Sequence, residues 1–267
     1  TETPRGRTPC PKISIVTPSF NQASFLEETI RSVLSQGYPA LEYIVMDGGS
    51  TDGSVDILRK YADRIAYWAS EPDAGQSDAL RKGFDRATGD VMAWLNSDDT
   101  LEAGALKAVG ETFAAEPDTD LVYGNMNFID PFGRKIYTAY PLLELGVLRY
   151  ENRFIPQQAM FWRRSLFAKV GGMDTDLRFA MAFALALRFL RSGARTMKIR
   201  RVLANFRVHP GAKSSTIREV GEREGDALIG RYFPGREPRW VFCLKKAYYR
   251  GKRFCREPKG LLTALRS

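Results

Sequence analysis

Short apolar runs alternate with longer amphipathic ones through the first half of this chain. Ile13-Ser14-Ile15-Val16-Thr17 reads as a buried strand stopped at Pro18. Phe25, Leu26, Ile30, Val33 and Leu34 then recur at helical spacing, with Asn21 placed to cap that helix. A second strand over Leu41 to Met46 ends in Asp47-Gly48-Gly49-Ser50-Thr51-Asp52-Gly53, and Val55, Ile57, Leu58 and Tyr61 mark the next helix. A third strand near Ile65 to Ala69 leads through Glu71 to Asp78 into a helix over Ala79 to Ala87. A fourth, Val91 to Leu95, breaks into Asn96-Ser97-Asp98-Asp99, with Thr100 as a candidate cap for the helix that follows. Strands and helices alternating at this spacing predict βαβ units and an α/β fold with a doubly wound, mostly parallel sheet flanked by helices.

Beyond residue 120 the pattern loosens. Leu121 to Asn125 predicts a strand, and Asn127 to Tyr137 a hairpin around Asp130-Pro131-Phe132-Gly133. A helix is expected over Phe179 to Leu190, then two strands near Thr196 to Ile199 and Val202 to Val208.

The strand ends carry the candidate chemistry. Thr17-Pro18-Ser19, the Asp47 turn, the Asp73 turn and Asn96-Ser97-Asp98-Asp99 would lie along one sheet edge, where open α/β folds bind ligands. Any one such turn reads equally as a structural turn, because Gly and Asp are what turns need. Adjacent carboxylates after a buried strand suit Mg²⁺ or Mn²⁺, which bind through one or two carboxylates and substrate phosphates.

Charge sharpens the division of the chain. The 267 residues hold 40 basic and 31 acidic side chains, a net +9. From Arg236 onward there are 10 basic and 2 acidic residues, which leaves 30 and 29 for the rest. The body is neutral and the tail is basic, which argues against nucleic acid as a partner. In the tail, Trp240, Leu244, Ala247, Tyr248 and Phe254 can form one stripe, and Lys246, Arg250 and Arg253 another face. This fits either the surface of an anionic membrane or a helix packed on the body with its charged face solvated. Three scattered cysteines, no secretory signal in the stretch given and no apolar run of membrane-spanning length point to a cytoplasmic setting. The tail would add a peripheral position on the cytoplasmic face of the inner membrane.

The ordered motifs resemble family-2 glycosyltransferases with the GT-A fold, from about Lys12 to Ser215. The matching residues are Ser14 to Asn21, Asp47 to Gly53, Asp73 to Ala79, Leu95 to Asp99, Tyr123-Gly124-Asn125, Gly171-Gly172-Met173-Asp174 and Phe206-Arg207-Val208-His209. The layout expected is an N-terminal tail over 1–10 and a GT-A domain over 11–215. Within it lie a nucleotide-binding part (about 11–125) and an acceptor part (about 126–215). A helical basic C-terminal extension covers 216–267.

The resemblance implies a UDP- or dTDP-sugar donor and a glycan or lipid-linked acceptor, as in cell-surface polysaccharide synthesis. Thr17, Pro18, Ser19, Asn21 and Asp47 would serve the nucleoside end, with Asp47 accepting from a uracil or thymine N–H. Gly75, Gln76 and Asp78 would lie near ribose or donor sugar. Asn96-x-Asp98 takes the place of the family's Asp-x-Asp, which makes Asp98 the main ligand of Mn²⁺ or Mg²⁺, with Asp99 beside it at the catalytic centre. His209, the single histidine, is either a second metal ligand or an ordinary hydrogen-bonded residue. Lys213 and Ser214 are either a solvated loop or a cover for the diphosphate. Gln157, Gln158 and Trp162 are the acceptor candidates.

One departure bears on catalysis. An inverting transfer needs a general base for the acceptor hydroxyl. The family places that carboxylate in an acidic-x-acidic-Leu-Trp pattern, where this chain has Ala182 and Ala184, with Ala186 at the Trp position. Three readings stand: engineered inactivating substitutions, a naturally silent binding or scaffold protein, or a base supplied by Asp174 or Asp176. An enzyme-derived chain of weak or no activity is the favoured expectation. A sugar nucleotidyltransferase is disfavoured, because its Gly-rich basic loop near the first strand is missing.

Overall fold

The computed structural model describes residues 10–151, 153–235 and 237–257. Residues 1–9 of the expected lead-in, and 236 and 258–267 of the basic extension, lie outside the described residues.

The first half is a parallel α/β wind. Strands β1 (Ile13–Ser19), β2 (Leu41–Asp47), β3 (Tyr67–Ser70) and β4 (Val91–Trp94) are separated by helices α1 (Ala23–Leu34), α2 (Ser54–Lys60) and α3 (Gln76–Arg86). Every residue of β1 is buried, as a continuous apolar run between two parallel neighbours requires. Its register pairs Ser19 with Asp47 and Val16 with Trp94, so the polar ends of three strands share one edge.

After β4 the chain adds β5 (Thr100–Leu101), α4 (Ala105–Ala115), β6 (Leu121–Ile129), β7 (Lys135–Ala139), α5 (Leu145–Tyr150) and β8 (Met160–Arg163). Then come α6 (Arg164–Lys169), α7 (Met181–Arg191), β9 (Thr196–Arg207), α8 (Lys213–Thr216), α9 (Arg218–Tyr232) and α10 (Arg239–Arg256). Among the described residues the strand order is β3-β2-β1-β4-β8-β6-β9-β5, with β7 on β6. Strand β8 runs antiparallel to both β4 and β6, so parallel pairing dominates the first half only and the sheet as a whole is mixed.

Four sequence expectations shift. Thr100 caps no helix: it pairs with Asn205 in the sheet, and its hydroxyl accepts from Asn205 Nδ2. Helix α4 starts instead after Gly104, whose φ of +71° suits a residue without Cβ. Asn21 does not cap α1, because its Oδ1 accepts from Thr51 N; the carboxylate of Asp52 takes the Ala23 N–H of that helix. The two strands expected near residue 200 are one strand, β9, whose register against β6 shifts twice around Asn125 and so absorbs the exposed Arg200-Arg201 pair.

The fourth shift concerns Trp162. It is fully buried on β8, edge-on to Trp94 at 5.7 Å and packed on Phe84, Phe167 and Phe189. A side chain in that aromatic core touches no acceptor. Its segment from Met160 to Trp162 is apolar throughout, and pairing of β8 with both β4 and β6 buries it.

At the opposite end of the sheet, Glu42 on β2 accepts from Lys12 Nζ, Ser14 Oγ, Thr88 Oγ1 and Thr88 N. Burial pushes this carboxyl up, but the four donors outweigh it and hold the pKa at about 2, against an ordinary 4.5. A depressed carboxylate contributes stability above its unfolded pKa and loses it as pH falls through the folded one. Chemical denaturation from pH 6 to pH 2 should therefore show stability declining below about pH 4.5. Glu42→Gln should be about 1–3 kcal/mol less stable at pH 6, with a flatter acid limb.

Candidate functional site

The shared strand edge opens into a cavity of ≈ 1030 Å³. Pro18, Ser19 and Phe20 from the end of β1, Gly48 after β2, and Asp73 to Gln76 before α3 form one wall. Asn96, Ser97 and Asp98 after β4 form the floor, and the loop into α7 with Lys213 and Ser214 forms the far side.

At the floor, Asp98 Oδ2 lies 3.0 Å from His209 Nε2. Two non-adjacent segments bring them together, and one buried cation holds both segments. Arg207, on the last residue of β9, is 1% exposed. Its Nε donates to the Asp98 carbonyl at 2.8 Å, Nη1 to the Pro131 carbonyl at 3.0 Å, and Nη2 to Glu28 at 2.6 Å. The guanidinium also stacks over Phe25, which in turn packs on the His209 ring at 4.7 Å. Arg207 N donates to Asp99 Oδ1 at 2.9 Å, so backbone and side chain of one residue fix both aspartates.

Asp99 is buried at 1% exposure and faces away from the cavity. Burial pushes its carboxyl well up, and the charge of Asp98 adds to that; hydrogen bonds from Arg207 N, Gln158 and Asn96 oppose it. It is a structural carboxylate beneath the floor, in place of the catalytic contact expected from sequence. Its presence also explains the amide at position 96. Asn96 Nδ2 donates to Asp99 Oδ2 at 3.0 Å and its Oδ1 accepts from Gln76 at 2.8 Å. An ionised carboxylate there would lack the N–H that Asn96 Nδ2 gives to Asp99.

The other predicted residues divide. Pro18, Ser19, Gly75, Gln76, Asn96, Asp98, Gln157, Gln158 and Ala182 line the cavity. The two glutamines are buried and spent inward, Gln157 donating to the Trp94 carbonyl and Gln158 to Asp99. Thr17 is buried against Tyr43, Asn21 braces the Ser50-Thr51 turn, and Asp78 is paired with Arg81 and Lys82 outside the cavity. Asp47 accepts from Gly49 N, Ser50 N, Ser50 Oγ and Ser70 Oγ, which makes it the organiser of its turn.

Four residues that matter were not singled out from sequence. Phe20 is 60% exposed at the cavity wall, and Asp73 stands beside Gly48 with its carboxylate at the same wall. Arg178 lines the cavity, and Glu224 on α9 accepts from the N–H groups of Arg178, Phe179 and Ala180. That clamp moves the start of α7 to Met181. Phe20 and Asp73 lay inside recognisable motifs; Arg178 and Glu224 carry no local pattern. Lys213 is exposed at the start of α8, where its Nζ donates to the Arg178 carbonyl, and desolvation followed by the charge of Arg178 pushes its pKa down.

A family model described as glycosyl transferase family 2 matches residues 14–171. The chain belongs to glycosyl transferase family 2. An uncharacterized glycosyltransferase of Mycobacterium tuberculosis strain H37Rv is 32% identical over 258 residues, covering 92% of this chain and 93% of that one. In fold, the chain is similar to Staphylococcus aureus TarS 1–349 solved with UDP-GlcNAc (TM-score 0.68, 17% identity, 91% of this chain and 73% of that one). It spans 42% of a longer TarS chain. It is also similar to the mannosyltransferase PcManGT of Pyrobaculum calidifontis, solved with GDP-Man and Mn²⁺ (TM-score 0.64, 18% identity, 96% of this chain and 73% of that one). These neighbours place the chain in the GT-A fold.

The two alanines that the family resemblance sets at the base position are not equivalent. Ala182 lines the cavity, whereas Ala184 is buried in the core. Asp174 and Asp176 are absent from the lining, and Asp174 Oδ1 accepts from Asp176 N as a turn brace. The carboxylates that do line the cavity are Asp73 and Asp98.

Replacing Arg207 leaves Asp98 and Pro131 carbonyls without their buried donor. Arg207→Met should cost about 3–5 kcal/mol in urea unfolding. Arg207→Lys should recover little of it, because an ammonium cannot span the same acceptors.

Proposed function

We propose that this chain binds a UDP- or dTDP-sugar with Mn²⁺ or Mg²⁺ and is a glycosyltransferase whose inverting chemistry is curtailed at Ala182. The observation that carries the reading is the Asp98–His209 pair: Asp98 lines the cavity, and His209, buried and outside that lining, is held 3.0 Å from it. One carboxylate and one imidazole suit such a cation, and no group of three His, Cys, Asp or Glu side chains that could hold a metal occurs among the described residues. The pair would supply two ligands, and the donor's own phosphate oxygens would complete the coordination. Bound there, the cation would neutralise the diphosphate as it leaves.

The chain's own groups account for the rest of donor binding. The exposed Phe20 ring offers a stacking face to a base, and Asp73 beside Gly48 offers an acceptor for a base N–H, with Asp47 fixing the turn between them. Gln76, oriented through Asn96, lies where ribose or sugar hydroxyls would reach, and Lys213 with Arg178 lies opposite to meet phosphate charge. The remaining wall includes Phe128, Phe154, Ile155 and Phe206, an apolar face suited to a lipid-linked acceptor or to stacking on a glycan ring. Lipid-linked acceptors would bring the enzyme to the cytoplasmic face of a membrane; no helix of the described residues is long and apolar enough to cross one.

The second reading, a silent donor-binding protein, is favoured by the cavity-facing methyl group of Ala182. One comparison separates the two. With UDP- and dTDP-sugars, Mn²⁺ and candidate acceptors, Ala182→Asp should raise transfer by about 10²–10⁴-fold over the chain as it stands. Donor binding in both forms with turnover in neither would favour the silent reading.

A further inference from the structure

Helix α10 is mounted with its faces reversed. On a soluble amphipathic helix the apolar stripe faces the body and the charges face water. Here the basic residues do the docking. Lys252 and Arg256 pair with Glu144 at 2.5 Å each and Arg253 with Glu151 at 2.8 Å; Lys245 pairs at 2.7 Å with Glu237 just before the helix, which in turn accepts from Tyr150 of α5. Tyr249 stacks on Tyr150 of α5, and Gly146 is bare where it meets that ring: a Cβ there would lie 2.0 Å from Tyr249 Cζ.

The opposite face is apolar and exposed. Trp240, Leu244 and Tyr248 follow one another at four-residue steps and are 67%, 63% and 63% exposed, with Ala247 and Gly251 exposed between them. Arg239, Lys246 and Arg250 flank this stripe and make no ion pair among the described residues. A groove of ≈ 400 Å³ between the stripe and α5 is lined by Tyr150, Leu244, Lys245, Tyr248 and Tyr249.

We propose that this face of α10 lies on an anionic lipid bilayer, with Trp240, Leu244 and Tyr248 in the interfacial layer and Arg239, Lys246 and Arg250 on the headgroups. The ion pairs beneath fix the helix to the body, so the stripe is held out rather than left to fold back. Charge decides the occupant. The flanking cations are unneutralised on a chain of net +9, which favours acidic headgroups and opposes a second copy carrying the same cations. Aromatic residues on an otherwise aliphatic stripe suit the headgroup boundary. The proposal holds whether or not the cavity transfers sugar.

The test uses the whole chain with vesicles of phosphatidylcholine, with and without phosphatidylglycerol. Co-sedimentation should require the anionic lipid, and brominated lipid should quench tryptophan emission. Trp240→Ser/Leu244→Ser/Tyr248→Ser should lose the quenching and bind at least about tenfold more weakly. Arg239→Glu/Lys246→Glu/Arg250→Glu should weaken binding by about 100-fold or more. Both variants change exposed side chains, so thermal unfolding and UDP binding should match the parent and exclude a folding defect. Unchanged vesicle binding in either variant overturns the proposal. So does a lipid-free, concentration-dependent dimer that the stripe substitutions dissolve, or a stripe shielded in lipid-free solution until residues 258–267 are removed.

Discussion

The buried guanidinium of Arg207 is the interaction on which the cavity floor depends. It ends β9, reaches under the floor to the Asp98 carbonyl, and ties in the β6–β7 turn and α1 through Pro131 and Glu28. Burying a cation is costly unless its donors are satisfied, and here they meet carbonyls and a carboxylate. The same residue's N–H holds Asp99, which also accepts from the Asn96 amide. A chain of hydrogen bonds thus runs from Arg207 through Asp99 to Asn96, beside the one carboxylate, Asp98, that faces His209.

This separates two things that a glycosyltransferase usually combines. The donor side is built and braced from behind. The base side ends in a methyl group, although Glu224 still clamps the turn that presents it and α7 still packs its apolar face on the core. The braces of Asp98 run through Arg207 and those of the turn before α7 through Glu224, so the two sides of the cavity rest on separate interactions.

Much of the frame was legible in the sequence. Continuous apolar runs announced the parallel strands, and Asp- and Gly-rich turns at their ends announced the binding edge. The family resemblance carried Asp98, His209 and Ala182. What periodicity could not give was direction. Trp162 sits in a short segment where inward and outward positions look alike, and only pairing with β4 and β6 turned it into the core. Thr100 looked like a cap because a two-residue strand has no period to read. Asp99 looked catalytic by adjacency to Asp98, whereas hydrogen bonds from Arg207 N, Gln158 and Asn96 hold it in the interior. For α10 the stripe was visible, but which face docks depends on Glu144, Glu151 and Glu237, which lie far from most of it in sequence.

The central claim is that Asp98 and His209 form half of a metal site that the donor diphosphate completes. Paramagnetic resonance of Mn²⁺ titrated with the chain, in the presence and absence of UDP, tests it most directly. The account predicts weak Mn²⁺ binding alone, much tighter binding with UDP, and loss of that gain in Asp98→Ala. UDP binding of equal strength with and without a chelator, or a gain that survives Asp98→Ala, would contradict it.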